Sequence, residues 1–276
     1  MAGDRAADSA RRPRLRAWRP EVPGVSEVLH AHFPEHAYPL HTHDTWALLI
    51  VDTGVVRYDL DRHEHGALRS LVTLLPPHVP HDGRSVHRDG FRKRVVYLDE
   101  AVLAASRIGS AVDHPGWNDP ALRRQVDLLH AALAHPGESL EAESRLAFVR
   151  ERLTHHLAAT EPTAVRRRDP TLALRFRTML DARITAGLSL ADAAAELNVS
   201  ETHLVRAFKN EHGIAPHQYL TGRRLDLARH LLLAGRSAAE VAAEVGFYDQ
   251  AHLTHHFTRL LGVPPGRFAH HGSSTA

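Results

Sequence analysis

A repeat in the C-terminal part of this 276-residue chain constrains its fold more than any other feature. Self-similarity at a fixed spacing marks one supersecondary unit used twice. At a constant offset of 49, His203 aligns with His252, Leu204 with Leu253, Phe208 with Phe257, Gly213 with Gly262 and Pro216 with Pro265. Leu and Phe four residues apart share a buried helix face, Gly ends the helix, and Pro blocks its resumption. Upstream, Ser189 with Asp192 and Ser237 with Glu240 have the capping-box form, a hydroxyl for free N–H groups and an acid three residues on. Each box opens a short Ala-rich helix. Asn198-Val199 and Gly246-Phe247-Tyr248 end those helices, and Ser200 and Asp249 cap the next ones. The pattern predicts two helix-turn-helix units.

Between the copies, Tyr219, Leu220, Leu225, Ala228, Leu231 and Leu232 fall at helical spacing within residues 216–233. A helix of that length is a rod of about 27 Å, against about 34 Å between adjacent major grooves on one face of DNA. With each unit displaced sideways from the rod's ends, one subunit can reach two turns of duplex. The second helix of each unit has a polar face: Glu201, Thr202, His203, Arg206 and Lys209 in the first, Gln250, Thr254, His255 and Arg259 in the second. These side-chain types bond base edges and phosphates, so double-stranded promoter DNA is the expected partner. Charge agrees in sign: residues 164–276 carry 14 Arg/Lys against 10 Asp/Glu, while the whole chain is only +2. A solvated polar face on packed tandem helices is the plainer alternative.

The front of the chain reads differently. Residues 1–20, rich in Arg, Ala and Pro, suggest an arm in which only Leu15 and Trp18 can dock. Short strand-like runs separated by turn residues fill 25–98 and predict an all-β sandwich or barrel of about eighty residues. Leu122, Val126, Leu129 and Leu133, then Leu146, Val149, Leu153 and Leu157, mark two following helices, whose free apolar face either covers the sheet or dimerises. The expected organisation is an arm over 1–20, an effector-binding and dimerisation domain over 21–160, a linker over 161–169 and a DNA-binding domain over 170–270. Cysteine is absent, which excludes disulfides and thiolate metal sites. With no signal or membrane-spanning run, a cytoplasmic protein with no membrane partner is expected.

Residues 188–268 resemble the DNA-binding domain of the AraC/XylS family of bacterial regulators, including the Gly246-Phe247 step and the closing Gly262-Val263-Pro264-Pro265-Gly266-Arg267-Phe268. That resemblance implies seven helices in two subdomains, recognition helices over 200–212 and 249–261, a homodimer, and RNA polymerase as a further partner. Tyr248-Asp249 stands where many members have Ser or Ala, which leaves base preference open. Pro39-Leu40-His41-Thr42-His43-Asp44-Thr45-Trp46, then Gly54, then Pro76-Pro77-His78-Val79-Pro80-His81-Asp82-Gly83, resembles the cupin-type ligand-binding domain often fused to it. The fold class expected is therefore α+β in two domains, a cupin-like barrel followed by helices and then an all-α double helix-turn-helix.

In metal-binding cupins an H-x-H pair, a nearby Glu and a third His hold a divalent ion. His41, His43 and His81 match, but Trp46 and Ala47 occupy the places of the acid. H-x-H is also cheap here: 24 His yield about two such pairs by chance, and the sequence has three. A metal-free and cofactor-free pocket is preferred, lined by His41, His43, Trp46 and His81, and by Tyr38 and Arg57 if their strands point inward. Imidazoles, a guanidinium and an indole suit a small polar or anionic effector. By analogy with sugar-responsive members, residues 11–20 would fold over it with Trp18 as a lid. The function expected is an effector-controlled, sequence-specific DNA-binding regulator. Its rivals are a metal-dependent cupin enzyme with a helical appendage and an effector-free architectural DNA binder.

Overall fold

Alternating side chains build the front half into two packed antiparallel sheets. The structure is a computed structural model that describes residues 13–34, 36–86, 90–135, 138–158 and 170–272. One sheet runs in the order β1 (Arg14–Trp18), β2 (Val25–Phe33), β9 (Phe91–Leu98), β4 (Trp46–Thr53), β7 (Val72–Leu75) and β10 (Gly116–Trp117). The other runs β3 (Ala37–His41), β8 (His81–Ser85), β5 (Val56–Leu60) and β6 (His63–Ala67). Residues 46–51 are all buried because this central strand is covered on both faces. Ala47, Leu49, Val95 and Tyr97 face the space between the sheets, while Trp46, Leu48, Ile50 and Val96 face the helices behind.

Those helices are α1 (Ile108–Asp113), α2 (Pro120–Leu133) and α3 (Ser139–Ala158). Their apolar stripes, Leu122 to Leu133 and Leu146 to Leu157, close the core behind the six-stranded sheet. Asp119 caps α2 by accepting from the Ala121 and Leu122 amides, and it also takes Arg152 Nε at 2.5 Å and His156 Nε2 at 2.7 Å from α3. One buried carboxylate thus fixes both the start of α2 and its pairing with α3.

The expected arm is in part a strand. Arg14 to Trp18 pairs in register with Val28 to His32, burying Leu15 and Ala17 in the inter-sheet core. Trp18 packs with the core behind the sheet and donates its indole N–H to the Leu133 carbonyl at 2.8 Å. It therefore stands on the opposite side of the sheet from the barrel interior and is no lid. A charged strand with alternating Arg and apolar residues reads as a polar arm when its sheet partner is unseen. Residues 1–12 and the linker 161–169 lie outside the described residues.

The C-terminal half is all-α: α4 (Pro170–Ala182), α5 (Leu190–Leu197), α6 (Glu201–His212), α7 (Pro216–Leu233), α8 (Ala238–Val245), α9 (Gln250–Leu261) and α10 (Pro265–Gly272). Ser189, Ser200, Ser237 and Asp249 each accept the amide three residues on, as their sequence positions predict. Asn198, Gly213, Gly246 and Gly262 end the four short helices in the left-handed region. Gly262 is required twice over: its φ is +73°, and a Cβ there would lie 2.8 Å from the Phe33 ring of the barrel.

That contact belongs to an extensive junction. Helices α7 and α9 lie against the barrel, and Gly222 brings α7 so close to β3 that a Cβ would sit 3.2 Å from the Thr42 carbonyl oxygen. Arg229 of α7 pairs with Glu27 of β2, both buried. Arg223 pairs with Asp44 at 2.9 Å, and His36 Nε2 donates to the Leu260 carbonyl at 3.2 Å.

Candidate functional site

The two sheets and helix α7 enclose a small pocket. From the barrel come Tyr38, His41, His43, Tyr58, His81, Lys93 and Tyr97; from the helical half come Asp226, Arg229, Leu260 and Leu261. Four of the expected residues, Tyr38, His41, His43 and His81, are thus brought together. Two are not. Trp46 is fully buried on the other face of β4, against the helices, and its neighbours Ala47 and Leu49 line the pocket instead. Arg57 points to solvent and faces Glu64 at 3.8 Å, while Val56 and Tyr58 on either side point inward. With a side-chain period of two, a one-residue error in phase moves a side chain to the opposite face.

The three imidazoles form a row with His81 in the middle, its ring centroid 4.4 Å from His41 and 4.7 Å from His43, which are themselves 6.2 Å apart. Each Nδ1 donates to a backbone carbonyl two residues away: His41 to Pro39 at 2.8 Å, His43 to Thr45 at 2.8 Å and His81 to Val79 at 3.0 Å. Burial holds all three below the ordinary imidazole range, His81 at about 4. Among the described residues no group of three or more His, Asp or Glu is arranged to hold a metal ion. The same pocket contains two cations, which oppose a dication.

Those cations escaped the sequence reading. Lys93 lies with its ammonium 4.0 Å from the centre of the Tyr38 ring, and burial, with Arg229 nearby, pushes it down to about 7. Arg229 lies 4.4 Å over Tyr97. Burial pushes the Glu27 carboxyl up and Arg229 opposes it; burial raises the Asp226 carboxyl too, and the Asp44 charge adds to that. The alternation of β9 could have pointed Lys93 inward with Val95 and Tyr97. Nothing local in the sequence could have brought Arg229, some 200 residues from Glu27, to the barrel mouth.

On the helical half, α6 and α9 are the second helices of the two helix-turn-helix units. His203, Arg206 and Lys209 are exposed on α6; the side chains of Glu201 and Thr202 lie outside the described residues. On α9, Gln250, His255 and Arg259 are exposed and Thr254 is half-buried. Arg259 also borders a cleft where α9 and α7 meet Pro39, Leu40 and His41 of β3. Also on α9, His252 and His256 stand one turn apart with their Nε2 atoms at 3.0 Å. Tyr248 ahead of them is 92% exposed, so it extends the polar surface of the turn.

Comparison with known proteins agrees with this geometry. Residues 23–147 match the family described as AraC-like ligand binding domain, and residues 193–271 match a helix-turn-helix domain family. RhaR of Escherichia coli strain K12, named an HTH-type transcriptional activator, is 25% identical over 256 residues, covering 86% of this chain and 89% of RhaR. LumQ of Photobacterium leiognathi is 33% identical over 82 residues, a stretch that spans 33% of LumQ and 29% of this chain. The fold is shared with ToxT from Vibrio cholerae O395 bound to (E)-4-(8-methylnaphthalen-1-yl)but-3-enoic acid, at TM-score 0.60 and 12% identity over 95% of this chain and 100% of that one. Unsaturated fatty acid bound ToxT from strain SCE256 gives TM-score 0.55 at 12% identity over 96% and 97%. With a ligand-binding barrel and a double helix-turn-helix in the family order, the chain belongs to the AraC/XylS family and is an effector-responsive, sequence-specific DNA-binding transcription regulator, not an enzyme.

Proposed function

We propose that a small polar or anionic effector occupies the pocket lined by Tyr38, His41, His43, His81, Lys93 and Arg229, and that its occupancy sets how the DNA-binding half is held. One observation carries this reading: the helix that joins the two helix-turn-helix units, α7, supplies a wall of the pocket through Asp226 and Arg229. A ligand that touches both the barrel and α7 interacts differently with docked and undocked arrangements, which is the condition for control of a distant site. The two ToxT complexes, one bound to (E)-4-(8-methylnaphthalen-1-yl)but-3-enoic acid and one to an unsaturated fatty acid, support an anionic effector by analogy.

In this reading residues 21–160 bind effector and dimerise, the latter through the outer face of α2 and α3, where Phe148 is 53% exposed. Residues 170–270 bind DNA through Glu201, Thr202, His203, Arg206 and Lys209 in one groove and Gln250, Thr254, His255 and Arg259 in the next. The protein works in the cytoplasm and engages RNA polymerase as an activator, the role that RhaR is named for. Among the described residues no helix is long and apolar enough to cross a membrane.

Purified protein is expected to shift promoter duplex from near its own gene, with affinity falling steeply as salt rises. Arg206→Ala and Arg259→Ala should each weaken specific binding by about 1–3 kcal/mol. Equal affinity for random duplex overturns the reading, and two silent substitutions overturn the assigned reading faces.

A further inference from the structure

The polar groups of the pocket divide into acceptors and donors. A carbonyl oxygen can only accept, so each imidazole that bonds one through Nδ1 carries its proton there, and its Nε2 is a bare acceptor. Three such rings in a row ask for several hydrogen-bond donors spread over 4–6 Å, not for one ion at a point. Facing them are donors, set beside the Asp226 carboxyl, whose Oδ2 has no hydrogen-bond partner among the described residues and whose burial, with the Asp44 charge, favours its protonated, donating form. Lys93 brings an ammonium, and the buried Arg229 Nε and Tyr38 hydroxyl have no hydrogen-bond partner among the described residues. Unpartnered buried donors are costly, so a ligand acceptor there gains more than it would in water. The space itself is small, about 50 Å³. That is room for about four waters, enough for a molecule of a few carbons and too little for a long alkyl chain.

Resting on the effector reading above, we propose that the pocket selects a compact hydroxy acid, its carboxylate taken by Lys93, Arg229 and Tyr38 and its hydroxyl groups donating to Nε2 of His41, His81 and His43. Ala47, Leu49 and Val95 contact the carbon skeleton, and Leu260 of α9 closes over it. A plain alkanoate satisfies the donors and leaves the imidazoles unpaired; a plain polyol does the reverse. Sites built to bond a ligand hydroxyl discriminate strongly against analogues that lack it.

Calorimetric titration of the full chain with erythronate, butyrate and erythritol separates the two halves of the claim. Erythronate is expected to bind at least tenfold more tightly than either of the others. His81→Leu should bring erythronate down to the affinity of butyrate, His81→Gln, which keeps an acceptor, should retain part of the preference, and Lys93→Met should erase the preference for erythronate over erythritol. Should His81→Leu fail to fold by circular dichroism, the three-ligand series on the native chain and the Lys93→Met variant still decide. Equal binding of butyrate and erythronate, equal binding of erythritol, no binding of erythronate, or a stoichiometric metal lost in His81→Gln each overturns the hydroxy-acid assignment. Tight erythronate binding with no change in promoter affinity leaves that assignment standing and defeats the effector role instead.

Discussion

The two helix-turn-helix units share a sequence pattern and differ in what they are packed against. The first has a core of its own, in which Phe208, Leu204 and Leu197 meet Phe176, Leu180 and Tyr219. In the second, Val241, Leu253, Phe257, Leu260 and Phe268 run without a break into the barrel core that holds Leu15, Phe33 and Phe91. The first touches the barrel through a few marginal contacts, such as Arg62 Nη2 donating to the Asn210 carbonyl at 2.8 Å and Leu40 packing at the edge. A single repeat has thus been used once as a free reading head and once as part of the effector domain's wall. The difference teaches which unit meets the pocket: Leu260 and Leu261 of α9 line it, and among the described residues none of α6 does.

Truncating the aligned phenylalanines breaks this comparison most forcefully. Phe208→Ala and Phe257→Ala should each cost about 3–5 kcal/mol, the usual range for emptying a buried aromatic site. The expected contrast lies in where the loss spreads. By hydrogen exchange, Phe257→Ala should loosen β1 and β2 as well as α9, and Phe208→Ala should loosen only α4 to α6. Equal spreading from both would mean that the two units are coupled to the barrel alike.

Glu27→Gln tests the clamp between the halves. It leaves the Arg229 guanidinium buried without its carboxylate, at a cost of about 3 kcal/mol, and undocking relieves that cost by returning Arg229 to water. Faster exchange along α7 and altered promoter affinity without ligand are expected; unchanged exchange would remove the clamp from the account.

Acid should act on the pocket side of the comparison. Burial holds His41, His43 and His81 below their ordinary 6.5, so in the window below 6.5, which for His81 runs down to about 4, the unfolded chain binds more protons than the folded one. Stability therefore falls as pH drops through that window, by up to about 1.4 kcal/mol per pH unit for each such histidine. Lys93 acts in the same sense between about 7 and 10.5, favouring the fold as pH rises. Melting temperatures measured from pH 7 to pH 5 should fall, and less steeply in His81→Leu; parallel profiles would contradict the burial of that ring.

Gly222→Ala should have the smallest effect. Ala gains about 1 kcal/mol of helix propensity, but its Cβ meets the Thr42 carbonyl at 3.2 Å in the docked state alone. The substitution is expected to shift the balance slightly toward release, read as a few-fold change in promoter affinity without ligand.

Local sequence determined most of the helical half: caps at Ser189, Ser200, Ser237 and Asp249, left-handed stops at Asn198, Gly213, Gly246 and Gly262, and the span of the connecting rod from Pro216 to Leu233. These are interactions over three or four residues, and a helix writes them into a contiguous stretch of chain. The barrel's strands were legible as strands, and four pocket residues with them, because alternation is also local. Phase was not, which is why Trp46 and Arg57 were assigned to the wrong face, and pairing was not, which is why Arg14 to Trp18 read as an arm. Only the tertiary structure decided that α7 closes the pocket and brings Arg229 to Glu27 and Arg223 to Asp44. A charge on a helix otherwise destined for solvent shows no mark of the distant carboxylate it will meet. Residues close in sequence fixed the double helix-turn-helix of this regulator; residues far apart in sequence fixed the pocket between its barrel and α7.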